Sequence, residues 1–494
     1  MGVEADVEKA KAAADVLDTP MAGGLVIRGG VLRIAGYAAG VGLSVAAAAI
    51  LIRALGASDY GRYVTVISLV TIVASLAEAG MTNLGIREYS TLEGAERDRL
   101  MRNLLGLRLA MATAGVVIAV GFALVAGYTA VMVAGAAAAG LGLVLLNVQS
   151  AYSVPLASRL ALGRVTALEL IRQGATLALT AALVAAGAGL FGYLSITVPV
   201  SALVVVLSAA WVRGLIPLRP AADRAGWMAL LRLSASFAVA TAFGTVYVYV
   251  IVIVMSLVAS NREVGYFGAS FRVFIVLGGI AGLLVGSAFP VLARAARDDR
   301  TRLAYATQRL FDVSVLVGAW MALCTVAGAS VAIDVLAGPG FGPAAATLQI
   351  QGAALLASFL LATWGFVLIS LHRHRELLLA NGLALTLSIT MSLLLVPTQG
   401  AEGGAVATVV SEAGLAGAYL LFLVRGHPEL RPRLGVAAKA AVATGVAAAA
   451  ALLPPVPDLV ALVIAATTYL VVALVLRAVP DELVVAARER LRAS

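Results

Sequence analysis

The side chains in this sequence with chemistry to offer are mostly arginines and acids in or beside long apolar runs. Arg272, in GASFRVF, lies four residues into such a run with no charged neighbour in sequence. An arginine within a membrane span costs about 2.5–3.5 kcal/mol on insertion scales, so it should face a cavity or a partner. Its guanidinium offers a fixed charge and a fork of donors for a bidentate anion; the plainer alternative is snorkelling to the headgroups. Arg28 and Arg33 open the first apolar run, as anchors or as a landing point for an anion. Arg53 and Arg62 flank Asp59 in RALGASDYGRY, and a latch made with Asp59 is the favoured reading. Glu263, in NREVGYF, holds the place of Asp59 in a second copy of that motif. Glu78, followed by Arg87 and Glu88, reads either as a salt-bridge cluster fixing a loop or as a gate that breaks when a cavity opens. Glu412 sits in an Ala/Gly/Val run and must be protonated, hydrogen-bonded or paired. It is either a hydrogen bond between helices or a site for a coupling proton or sodium ion.

Other chemistry is missing from the pattern. There is one cysteine, Cys324, and three histidines, two of them in HRHRE, so no cysteine or histidine metal cluster and no metal site are expected. No phosphate-cradling G-x-x-x-x-G-K-[ST] occurs. Asp59 and Glu263 stand alone, without the acid pair that metal-dependent glycosyl transfer needs. No enzyme activity, no cofactor and no nucleic-acid partner are expected. GAERDR (94–99) has a G-x-x-x-D-R spacing seen in major-facilitator loops but lacks the following Gly and the basic tail. Glu169 should pair locally with Arg172. Tyr247 and Tyr249 are two residues apart and face different sides of a helix, so at most one lines a cavity.

The elements that must position these residues are membrane helices. The chain has 494 residues, 62% hydrophobic and 12% charged, with a mean hydropathy of +1.01. Soluble domains average about 25% charged. The acidic start (Glu4, Asp6, Glu8) does not read as a signal peptide; a short surface-lying helix is expected there. Runs of about 20 apolar residues suffice for a span, and fourteen are expected: 30–52, 60–80, 104–126, 129–150, 168–187, 193–213, 233–259, 268–290, 310–333, 346–371, 377–396, 404–424, 436–453 and 459–477. With the N-terminus in the cytoplasm, 31 of the 35 basic residues fall on the inner side, which the positive-inside rule favours. Both termini are then cytoplasmic, and the outer connections are short.

The sequence also repeats. Asp59-x-Gly61-x-Tyr63 matches Glu263-x-Gly265-x-Phe267, and RDRL (97–100) matches RTRL (300–303), at offsets of 204 and 203 residues. Two six-helix lobes of like orientation are the expected reading, in the manner of transporters that rock one half on the other. The division is 1–28, a cytoplasmic segment; 29–232, the first lobe; 233–435, the second lobe; and 436–494, two added helices and a tail.

ILIRALGASDYGRY, SLAEAGMTNLGIREYS (75–90), VGYFGASFRV (264–273), LAGPGFGPAAATLQI (336–350) and EGGAVATVVSEAG (402–414) together resemble the polysaccharide-transport flippases, the O-antigen and exopolysaccharide exporters. These belong with lipid II flippases and multidrug and toxic compound extrusion transporters. The resemblance implies two six-helix bundles in a V and a bacterial inner-membrane protein. It also implies movement of an undecaprenyl-pyrophosphate-linked oligosaccharide by alternating access, alongside membrane lipids and the glycan polymerase and glycosyltransferases of the same pathway. Arg272, Arg33 and Arg28 would then meet the pyrophosphate. An H⁺- or Na⁺-coupled small-molecule exporter on the same fold is the alternative; more arginines than acids at buried ends favour the flippase.

Overall fold

The computed structural model describes residues 20–479 except 79, 160, 218 and 453–455; side chains are described from 36 onward, apart from 162, 235–242, 298 and 452. Among the described residues every extended element is a helix. In lipid, backbone N–H and C=O groups find no water, and a helix satisfies them within one segment.

The first half of the chain holds α1 (Pro20–Glu78), α2 (Met81–Thr91), α3 (Gly94–Val125), α4 (Ala130–Ser158), α5 (Leu162–Ala185), α6 (Leu190–Ser195) and α7 (Thr197–Val212). The second half holds α8 (Arg224–Val258), α9 (Asn261–Gly286), α10 (Phe289–Asp298), α11 (Arg300–Ala327), α12 (Ala329–Leu336), α13 (Pro343–Ser370) and α14 (His374–Gly426). α15 (Gly435–Leu452) and α16 (Asp458–Val475) follow and pack on α11. Among the described residues eleven helices are long and apolar enough to cross a membrane, and this is a multi-pass membrane protein.

Two of the helices, α1 with 59 residues and α14 with 53, are far longer than a bilayer needs. Each is broken once, at Gly56 (φ 66°, ψ 174°) in α1 and at Gly400 (φ 55°, ψ −127°) in α14. Both dihedral pairs lie where only glycine is at ease. The breaks refine the expected turns. NREVGYF is not a turn but the start of α9, whose N-cap Ser260 accepts from the Glu263 N–H at 3.3 Å. Asp59–Tyr63 likewise lies in helix after Gly56. In each copy the chain bends just before the motif, and the acid sits in the first helical turns, where the helix dipole favours it. α1 runs unbroken from Pro20 to Gly56, so the helix starts before the boundary expected at 28/29; residues 1–19 lie outside the described residues.

Two of the apolar cores belong to one half each. Met81, Leu84, Met101, Leu104 and Leu156 form a core of the first half together with Leu230 of α8. Leu292, Phe311, Trp364 and Leu423 form one of the second half, shared with α15 and α16. A third core joins both halves near Gly56, drawing Ile52, Tyr60 and Tyr193 from the first and Val264, Phe267 and Phe341 from the second.

Candidate functional site

The seam between α1 and α9 brings together the two matching motifs and Arg272. At its Gly56 end the two backbones touch. A Cβ on Gly61 would lie 1.8 Å from the Asn261 carbonyl oxygen, and one on Gly265 would lie 1.8 Å from that of Ala57. Only glycine permits that approach, and the motif contributes one from each side. Further along, the Arg272 Nη2 donates to the Ser44 hydroxyl and, at 3.5 Å, to the Ser44 carbonyl. Further still, the Tyr37 hydroxyl lies 3.7 Å from where a Cβ on Gly279 would stand.

Arg272 is half-buried, and its Nε is buried with no partner among the described residues. Its charge reaches the hydroxyls of Tyr60, Tyr63 and Tyr249. Aromatic rings pack against one another along the same helices. Tyr60 stacks on Tyr63 at 6.1 Å and meets Phe341 edge-on at 6.2 Å, while Tyr249 meets Phe271 edge-on at 5.9 Å. Phe267, Phe271 and Phe274 continue the stack along α9. The chemistry on offer is one fixed cation with a free donor, near phenol hydroxyls and aromatic faces. That set suits an anion joined to a polar, stackable body.

Arg53 crosses between the halves. Its Nη2 donates to the Val335 carbonyl at 2.6 Å and the Asp334 carbonyl at 3.2 Å, at the C-terminal end of α12, where a cation complements the helix dipole. Asp59 pairs with Arg62 at 3.0 Å within one turn of α1, and Arg53 is not its partner. Glu263 points away from the seam and accepts from the Ala401 N–H at 2.8 Å, capping the part of α14 that restarts after Gly400.

Glu78 accepts from the Gly80 and Thr82 N–H groups at 2.9 and 3.1 Å, capping α2, and lies 3.6 Å from Arg108. Arg87 pairs with its neighbour Glu88 at 2.7 Å. Each of these contacts stays within the first half. Arg108 is the residue that sequence reasoning missed. It lies inside the expected span 104–126 and is fully buried in α3. Its Nη2 donates to the Thr82 hydroxyl at 2.7 Å. The signal was available in NLLGLRLAM, where an arginine stands inside an expected span just as Arg272 does.

Glu412 is buried among α8, α13 and α14, accepting from the Tyr247 hydroxyl at 2.5 Å and the Ser358 hydroxyl at 2.8 Å. Tyr247 and Tyr249 diverge as their spacing requires, one to Glu412 and the other to the rings beside Arg272. Glu169 holds Arg172 at 2.6 Å and Gln173 at 2.8 Å. Arg28 and Arg33 lie in α1, but their side chains are outside the described residues. Among the described residues no group of three metal-ligating side chains forms.

Comparison with solved structures places this architecture. The lipid II flippase MurJ in an inward closed conformation superposes with a TM-score of 0.74 at 13% identity, covering 90% of this chain and 99% of that one. An inward-facing multidrug resistance MATE family transporter of the MOP superfamily gives 0.61 at 14% identity, covering 79% and 95%. A MOP superfamily transporter from Pyrococcus furiosus, described for the reverse polarity of its binding pocket, gives 0.56 at 14% identity, covering 83% and 96%. At these identities the likeness is one of fold. No curated protein matches in sequence. A family model does, over residues 50–346, more than half of the chain. The chain belongs to the polysaccharide biosynthesis protein family and carries the fold of the multidrug/oligosaccharidyl-lipid/polysaccharide exporters.

Proposed function

We propose that this protein is a flippase that moves an undecaprenyl-pyrophosphate-linked oligosaccharide across the bacterial inner membrane by alternating access. The observation that carries the reading is Arg272: a half-buried cation inside a span, at the meeting of the two halves, with a buried donor left over and tyrosines near it. A pyrophosphate needs such a charge in a low-dielectric slab, and a sugar needs hydroxyls and aromatic faces. Family membership supports the polysaccharide side of the proposal. A small-molecule exporter shares the fold, but a cationic drug would be repelled by Arg272.

In this reading α1 and α14 cross the membrane twice each, at either side of Gly56 and Gly400, and α8 adds a crossing, which brings the total to fourteen. Residues 29–232 and 233–435 are the moving lobes, and 436–494 is the added pair with its tail. Both termini face the cytoplasm, so the Gly56 end faces outward and is the closed mouth. Arg28 and Arg33 receive the pyrophosphate from the inner leaflet. Glu412 is the group for a coupling ion, its carboxylate held by the Tyr247 and Ser358 hydroxyls inside the second half. Polymerase and glycosyltransferases of the same pathway act before and after the flip.

Arg272→Ala is expected to abolish surface glycan at normal protein level, and Arg272→Lys to restore part of it, because an ammonium cannot reproduce the bidentate fork. Surface glycan measured in cells carrying each variant checks this. Full activity of Arg272→Ala would remove Arg272 from substrate contact and with it the anion reading.

A further inference from the structure

The helices that begin with RDRL and RTRL, α3 and α11, each receive the linker that follows the last helix of their half, and the two junctions differ. On α3 the linker is pressed flat. The Ala221 N–H donates to the Arg102 carbonyl at 2.9 Å, and a Cβ on Gly106 would lie 2.0 Å from the Ala221 carbonyl oxygen. Arg99 closes the junction by donating to Asp223 at 2.8 Å, and that hydrogen bond holds the Asp223 carboxyl below the usual carboxylate range. On α11 the linker is tied at one residue, Gln308, which accepts from the Arg433 N–H at 2.8 Å and donates to its carbonyl at 3.1 Å. Around that tie the chain stands off, leaving two clefts of about 280 and 290 Å³ that share Tyr305, Gln308 and Arg433.

The polar groups left over in these clefts are of one kind. The acids are engaged: Glu429 with His427 at 3.1 Å, and Asp312 with the Gln308 amide at 2.8 Å. Thr307 is 3% exposed, lines the cleft, and its hydroxyl has no partner among the described residues. Arg431 and Arg433 line it, and their guanidinium groups make no hydrogen bond or ion pair among the described residues. What remains is two cations and a hydroxyl, an anion's complement. The floor is apolar: Phe311 and Trp364, stacked at 6.2 Å. Leu434, 64% exposed, continues the apolar surface towards α15. A free anion has no use for that floor, whereas a glycerol backbone and acyl chain do. The cleft also lies at the Arg-rich ends of the helices, which in the proposed orientation face the inner-leaflet headgroups.

We propose that the cleft between α11 and the Pro428–Gly435 linker is a site for an anionic phospholipid headgroup. Arg431 and Arg433 hold the phosphodiester, Thr307 donates to it, and the apolar floor takes the glycerol. The site is separate from the α1–α9 seam and does not depend on what that seam transports. Occupancy fastens the added helices to the second half.

The test is lipid binding to the purified full-length protein in detergent, read by thermal shift during titration. The ligands are phosphatidylglycerol, phosphatidylcholine and inorganic phosphate. Phosphatidylglycerol is expected to raise the midpoint, and the other two to leave it unchanged. Arg431→Gln with Arg433→Gln should weaken phosphatidylglycerol roughly thirty-fold, the effect of two arginines at a charged surface. Thr307→Val should weaken it a few-fold, and Arg213→Gln, an exposed arginine in the other half, should not. Equal binding by wild type and the double variant overturns the proposal. An equal shift with inorganic phosphate makes this a site for a free anion and overturns the lipid assignment. If the double variant does not fold, Thr307→Val and Arg433→Gln decide singly: wild-type affinity in both overturns the site.

Discussion

The two ends of the helical bundle are held by different forces. At the Gly56 end the halves meet through backbone: Ala57–Gly61 of α1 lies on Asn261–Gly265 of α9, Arg53 reaches across to α12, and one apolar core draws on both halves. At the Arg-rich end the ion pairs stay close to home, Glu78 with Arg108 and Arg87 with Glu88 in the first half, Arg373 with Glu376 in the second, and the cores are separate. Lipid tails are as apolar as leucine, so close packing of small residues holds helices together in a membrane. A seam of glycines can part without stranding a desolvated charge. In the proposed cycle the Gly56 end parts at a seam of small residues, while charges kept within each half let that half move as a unit.

The largest break in this comparison comes from adding one carbon at the seam. Gly61→Ala or Gly265→Ala puts a Cβ 1.8 Å from a backbone oxygen that no rotamer can move. Overpacking costs about 1–3 kcal/mol, enough to shift the closed-to-open ratio by about five-fold to 150-fold. Ser58→Cys with Asn261→Cys, in a Cys324→Ala background, reports that ratio by oxidant-induced crosslinking, since a disulfide needs Cα atoms within about 7 Å. The crosslink should form in the parent, stop transport, and fade when either glycine is replaced. A crosslink undiminished by Gly61→Ala would show that the glycine contact does not govern closure.

The membrane helices and the likeness of the two motifs were legible in the sequence, because hydrophobic length and a repeated D/E-x-G-x-Y/F pattern are local signals; the helix breaks fall at Gly56 and Gly400, not at the motif glycines Gly61 and Gly265. The sequence misplaced what depends on distance. Glu263 was matched to Asp59 as a gate residue, but its partner is the Ala401 N–H, 138 residues away, which exists only because α14 breaks at Gly400. Arg108 lies inside the expected span 104–126, but its burial against Thr82 and Glu78 depends on α2 packing beside α3, which no local pattern shows. Arg53 and Arg62 looked equivalent, as two arginines flanking one acid. The helix puts Asp59 and Arg62 one turn apart, while Gly56 lies between Arg53 and both of them.

A smaller break separates those two arginines. Arg53→Gln removes a charge from the carbonyl end of α12; a hydrogen bond to a charged group is worth about 1.5–3 kcal/mol when buried and less at this exposed position. The Ser58/Asn261 crosslink should therefore drop a few-fold.

The smallest effect belongs to Asp59. Its pair with Arg62 is three residues apart on one helix, and the two side chains are 43% and 36% exposed. Pairs of this kind contribute about 0.3–0.5 kcal/mol. The contact lies wholly in α1, so it holds equally whether the mouth is open or closed, and an interaction equal in two states shifts neither. Asp59→Asn should then leave crosslinking and surface glycan within about two-fold of the parent. Asp59→Asn matching Arg53→Gln would mean that the acid and Arg53 do act together, as the spacing in RALGASDYGRY first suggests, and that the contact of Arg53 with Asp334 and Val335 is not the one that holds the mouth shut.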